Sequence, residues 1–119
     1  MKVLVCGGRD FADKKSLTRT LLKIHKATPI KIIIHGGARG ADAMAGGIAR
    51  ASGIQEVICP ANWDKFKKGA GHKRNSAMTI LQPDVVVACQ GGSGTDDMMN
   101  KAQQCGFEVV FVPDTTKEE

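Results

Sequence analysis

Short, unbroken apolar runs alternate along the chain with longer stretches whose apolar residues recur at helical spacing. Val3 to Cys6 (VLVC), Lys31 to His35 (KIIIH), Glu56 to Cys59 (EVIC), Asp84 to Cys89 (DVVVAC) and Phe107 to Val112 (FEVVFV) are too short for helices and mostly β-branched, so they predict five strands. The runs are continuous rather than alternating, as in strands covered on both faces. Between them, Leu17, Leu21 and Ile24 mark a helix with Asp13 as its N-cap and Pro29 beyond its end. Ala41, Met44, Ala45 and Ile48 place a second helix over 38–52, ending near Gly53. A third is expected over 73–81, and a fourth runs through Met98, Ala102 and Cys105 to Gly106. This alternation predicts an α/β class: an open parallel five-stranded sheet, order 3-2-1-4-5, with helices on both faces.

A chain of 119 residues is the size of one compact domain, expected over 1–113, with 114–119 as a charged C-terminal tail that frays. Hydrophobic residues at 42% and charged residues at 24% fit a globular protein and exclude a disordered one. No apolar run is long enough to cross a bilayer, and the opening MKVLVCGGRD breaks too early for a signal peptide, so a cytoplasmic protein without a membrane partner is expected. Cys6, Cys59, Cys89 and Cys105 form no CxxC pair, which argues against a zinc site or a compact disulfide framework. Three of them end strand-like runs, where a cysteine serves as a small buried hydrophobe. The net charge of +5, with basic residues concentrated in KFKKGAGHKR (65–74), favours anionic partners. Aromatic residues are only 4% with no tyrosine, so the stacking platforms of single-strand binders are scarce; small phosphorylated ligands explain the charge as well as nucleic acid does, and nucleic acid is not the expected partner.

Three glycine clusters follow strands: GGRD after the first, GGARGAD after the second and GGSGT after the fourth. In the order 3-2-1-4-5 these strands are neighbours, so their carboxyl ends converge where the strand order reverses. A missing Cβ lets backbone N–H groups approach an anion, and the following helix directs its positive end there. Arg9, Arg39 and Arg74 lie in or near the turns, with guanidinium geometry suited to phosphate or carboxylate. Asp42, Asp96 and Asp97 fall in first turns of helices; Asp96 is read as a cap and Asp97 as an acceptor for ribose hydroxyls. His35 reads as a structural histidine, and His72, beside Lys73 and Arg74, as the stronger functional candidate. Trp63, the single tryptophan, either covers a base or anchors its loop.

In their order, GGRDF, HGGARGADAMA, PANW, AGHKRNSAM and GGSGT resemble the YspA-type branch of the SLOG superfamily, a domain of bacterial and phage proteins. The likeness runs from Lys2 to about Val112. It implies a Rossmann-like fold that binds a nucleotide or nucleotide-derived ligand at the glycine turns. The residues it points to are Gly7, Gly8 and Arg9 in the first turn, and Gly36, Gly37, Ala38, Arg39, Gly40 and Asp42 in the second. Asn75 and, in the turn after the fourth strand, Gly91, Gly92, Ser93, Gly94 and Thr95 complete the set. Neither a metal nor a further cofactor is implied, and a homo-oligomer is expected.

The cytokinin-activating phosphoribohydrolases are enzymatic relatives in that superfamily. Their HxRKxxM segment is similar to HKRNSAM here, which carries their catalytic arginine to Arg74. Their PGGxGTxxE motif departs: Gln90 stands at the proline, Met98 at the glutamate, and Asp97 precedes it. A methionine cannot stabilise a cationic ribosyl transition state, so that role falls on Asp97, while Met98 fits the apolar face with Ala102 and Cys105. The readings are therefore a nucleotide-binding module, a phosphoribohydrolase using Arg74 and Asp97, a sensor or sequestering protein for a nucleotide signal, and a DNA-processing-type protein.

Overall fold

A computed structural model describes residues 1–61 and 69–117. The elements run β1 (Lys2–Cys6), α1 (Lys14–Ala27), β2 (Ile32–His35), α2 (Ala41–Ala51), β3 (Gln55–Ile58), α3 (Ala70–Ile80), β4 (Val85–Cys89), α4 (Ser93–Gln104) and β5 (Glu108–Val112), followed by a 3-10 turn, Thr115–Lys117. All strand pairs are parallel and the order is β3-β2-β1-β4-β5, the Rossmann-like arrangement expected from the sequence. In register, Leu4 pairs with both Ile34 and Val86, at the centre of the sheet.

Successive strand residues point to opposite faces, and each face has its own core. Val3, Val5, Ile33 and Val87 meet Leu17 and Leu21 of α1 and the alanine face of α2, Ala41, Ala45 and Ala49. Leu4, Ile34, Val86 and Ala88 meet Met78 of α3 and Met98 and Ala102 of α4. Met98 is fully buried, so the position of the relatives' glutamate belongs to the core in this chain. No helix among the described residues is long and apolar enough to cross a membrane.

Two boundaries differ from the sequence reading. Helix α2 begins at Ala41 rather than 38, because Gly40 takes φ +77° and residues 38–40 belong to the turn. Helix α3 begins at Ala70, ahead of Lys73; Ala70 and Gly71 are buried, and tertiary packing overrides the weak helix propensity of a glycine.

The segment after Val112 does not fray as expected over 115–117. Asp13, the N-cap of α1, accepts from Ser16 N (3.1 Å) and Ser16 Oγ (2.7 Å), and also from Thr115 N (2.9 Å) and Thr115 Oγ1 (2.6 Å). Asp114 accepts from Ala12 N (2.9 Å) and Thr116 N (3.0 Å) and donates its own amide to Gln90 Oε1 (2.9 Å). Two buried carboxylates thus clamp the C-terminal turn onto the start of α1. The hydrogen bonds from Thr115 and Ser16 hold the Asp13 carboxyl well below the usual carboxylate range. A depressed folded pKa gives stability that is present above the unfolded value, about 4, and is lost as pH falls through the folded one. In thermal melts, Asp13→Asn is therefore expected to lower the melting temperature at pH 7 and to flatten its decline in acid. A melting profile for the variant parallel to the parent's from neutral to strongly acid pH would contradict the clamp.

Candidate functional site

The three glycine turns meet at the carboxyl edge of the sheet and interlock backbone to backbone. Gly8 N donates to Gln90 O (3.3 Å), and Gly8 O accepts from Ala41 N (3.3 Å). A Cβ on Gly40 would lie 2.3 Å from Gly8 O, and one on Gly91 would lie 2.5 Å from Gly8 N and from Thr95 Oγ1. These glycines let one turn seat on the next. Gly92 and Gly94 are different: a Cβ on either would meet nothing within 4 Å.

Beside the interlock lies a cavity of about 290 Å³. Its lining takes Val5, Cys6, Gly7, Gly8 and Arg9 from β1 and its turn, and Gly36, Ala38 and Asp42 from the second turn and α2. Gly71, His72, Arg74, Asn75 and Met78 come from α3, and Gly92, Ser93, Gly94 and Thr95 from the start of α4. Of the sequence-predicted residues, Gly37 and Arg39 line a neighbouring cavity instead, Gly91 lines a third opening near Gln90 and Asp114, and Gly40 and Asp97 line none of the three. Trp63 and Lys65 to Lys68 lie outside the described residues.

In the second turn the amides of Gly36, Gly37 and Ala38 are already engaged within the fold. Asp42, 4% exposed, accepts from Gly36 N (3.1 Å) and Ala38 N (3.2 Å), both on Oδ2. Gly37 N donates to His35 Nδ1 (3.0 Å), so the imidazole carries its proton on Nε2 and donates it to Glu56 Oε2 (2.5 Å). Arg50 Nη1 holds the other oxygen of Glu56 at 2.6 Å. His35 is thus a satisfied structural residue. Burial pushes the Asp42 carboxyl up, opposed chiefly by the Ala38 amide and the Arg74 charge.

Helix α4 is the opposite case. Its N-cap is Gly92, with no side-chain cap, and its first backbone hydrogen bond runs from Asp96 N to Gly92 O (3.1 Å). The amides of Ser93, Gly94 and Thr95 therefore precede the helical ladder, and those residues line the cavity. The expectation that Asp96 caps this helix is corrected: it stands in the fourth helical position, beyond the N-cap, and makes no cap hydrogen bond.

Arg74 lies directly on Gly36, where a Cβ would sit 2.6 Å from Nη1 and 2.7 Å from Cζ. Its Nη1 reaches Gly36 O only at 3.5 Å, and its Nε is buried without a hydrogen-bond acceptor among the described residues. Buried Asn75 ties α3 to α4, donating from Nδ2 to Gly94 O (2.9 Å) and Asp97 Oδ2 (3.0 Å). Asp97 is further paired with Lys101 Nζ at 2.7 Å and His72 Nδ1 at 3.1 Å. Burial raises its carboxyl, but Lys101, Asn75 and His72 together hold it below the usual range. Asp97 thus reaches the cavity only through Asn75 and His72.

Sequence reasoning missed Val5, Cys6, Gly71 and Met78 in the lining. Strand ends and a buried helical face carry no polar signature, so no local signal marks them. Burial lifts the Cys6 thiol above its ordinary range and the Cys89 thiol to about 12, which keeps both protonated and unreactive.

Fold and site together define a Rossmann-like α/β protein with a ligand-sized cleft at the switch point of its sheet. The model of the YspA, cpYpsA-related SLOG family matches residues 1–66. The gene 61 protein of Mycobacterium phage D29 is 32% identical over 117 residues, covering 92% of this chain and 94% of that protein. No solved structure gives a match. The chain belongs to the YspA, cpYpsA-related SLOG family, and its relation to the phosphoribohydrolases lies at the level of the superfamily.

The two kinds of glycine are separable by stability. Gly91→Ala drives a Cβ into the Gly8 backbone and is expected to cost about 1–3 kcal/mol in denaturant unfolding. Gly94→Ala meets open space in a helix and is expected to be neutral or to stabilise by up to about 1 kcal/mol. Equal effects would contradict the interlock.

Proposed function

We propose that this chain binds a nucleotide or nucleotide-derived ligand in the cleft beside the glycine turns. The ligand's phosphate lies on the amides of Ser93, Gly94 and Thr95, within reach of the Arg74 guanidinium. A ribose hydroxyl donates to Asp42 Oδ1, since both recorded hydrogen bonds of that carboxylate fall on Oδ2. Val5, Cys6 and Met78 supply the apolar surface for a base. One observation carries the reading: Arg74 keeps a buried N–H unsatisfied beside an uncapped helix start. A buried donor without a partner costs about 1–3 kcal/mol, a penalty that an anionic ligand relieves.

Calorimetry with a panel of nucleoside mono- and diphosphates, NAD, ADP-ribose and cyclic nucleotides tests it. Arg74→Met is expected to weaken binding by about tenfold or more while leaving thermal stability unchanged or higher, because the unsatisfied donor is gone. Silence across the panel at millimolar ligand, or an affinity indifferent to Arg74, would overturn the reading.

A hydrolytic reading has one observation in its favour: His72, in the cavity lining, is held through Nδ1 by Asp97. That leaves Nε2 to exchange a proton as water adds to C1′ of a nucleoside monophosphate and the base departs. Asp97 then acts as a positioning residue rather than beside the sugar. Chromatography of the same incubations should show free base and ribose 5-phosphate, lost in His72→Gln and reduced in Asp97→Asn. Bound nucleotide recovered intact leaves binding alone.

A further inference from the structure

The neighbouring cavity, about 410 Å³, shares Arg9, Gly36, Ala38 and Arg74 with the first, so the two adjoin across the second glycine turn. Arg39 lines this second space and not the first. Three arginines therefore line one cavity, and its described lining contains no carboxylate. Like charges gathered around one space repel, an arrangement that an anion between them reverses. The amides of Gly36, Gly37 and Ala38 there are already spent on Asp42 and His35, which leaves the guanidinium groups as the charged donors of this lining. The contact of Arg39 with Asp10 does not neutralise the site: it is 3.7 Å long, with side chains 76% and 85% exposed, and such pairs are weak.

One phosphate at the start of α4 has no use for Arg39, which is absent from that lining. We infer that the ligand carries two separately placed anionic groups, one on the amides of α4 and the other among Arg9, Arg39 and Arg74. That makes it a nucleoside bisphosphate, diphosphate or diphosphate-linked compound rather than a simple monophosphate. The inference rests on the nucleotide reading above and narrows it. Two unlike grips, amides at one end and guanidinium forks at the other, fix the ligand's direction in the cleft.

Calorimetry comparing each nucleoside 5′-monophosphate with its 5′-diphosphate, its 3′,5′-bisphosphate and, for adenosine, ADP-ribose tests this. At least one doubly anionic member is expected to bind about tenfold or more tightly than its monophosphate, the worth of a charge-assisted hydrogen bond. Arg39→Gln, on an exposed side chain, should abolish that advantage without changing monophosphate affinity or the melting temperature. Equal affinities across each series, or an advantage that survives Arg39→Gln, would overturn the second subsite while leaving nucleotide binding in place. Binding of no member at millimolar concentration would remove both.

Discussion

Asp42 accepts the amides of Gly36 and Ala38 from within the fold, and this internal pairing governs how the carboxyl edge of the sheet divides its work. With those donors occupied, and Gly37 bound to His35, the second turn is a finished structural unit. Its glycines serve neighbours instead: Gly36 admits the Arg74 guanidinium, and Gly40 admits the Gly8 and Arg9 carbonyls. The amides at the start of α4, where Gly92 provides no side-chain cap, stay available to an anion. One turn thus holds an arginine in place while another presents the backbone that faces it across the cleft.

Gln90, which stands where the phosphoribohydrolase motif has a proline, builds the turn through its own hydrogen bonds. Gln90 donates its backbone amide to Val112 O (2.8 Å), a bond no proline can make, and its side chain accepts from Asp114 N. The departure therefore joins β4's turn to the C-terminal clamp. Met98 has gone into the core with Ala102, and its neighbour Asp97 organises Asn75, His72 and Lys101 from the seam between α3 and α4. Asp97 thus supports the walls of the site through Asn75 and His72.

The strands, their order and the convergence of three glycine turns were legible because continuous β-branched runs ending in glycine have few alternative readings. So was the burial of Met98, from its spacing with Ala102. The use of each glycine was not legible, since the same residue type leaves open space at Gly94 and admits a guanidinium at Gly36 and a carbonyl at Gly40; only the neighbours decide. Asp42 was ambiguous for a similar reason. An acid in a helix's first turn suits the dipole whether or not it reaches back to the preceding turn. Asp97 and Lys101 stand four apart, so their pairing was accessible locally, but the approach of His72 depends on how α3 meets α4. The order of residues 115–117 came from Asp13, about a hundred positions away in sequence, beyond the reach of any local pattern.

The division of labour among the backbone amides can be watched directly. In a titration of the 15N-labelled protein with a nucleoside phosphate, followed by amide NMR, the Ser93, Gly94 and Thr95 resonances should shift strongly and slow their exchange with water. The Gly36 and Ala38 amides, already bonded to Asp42, should stay nearly where they began. Movement of Gly36 and Ala38 with Gly94 and Thr95 at rest would contradict the assignment of the anion grip to α4.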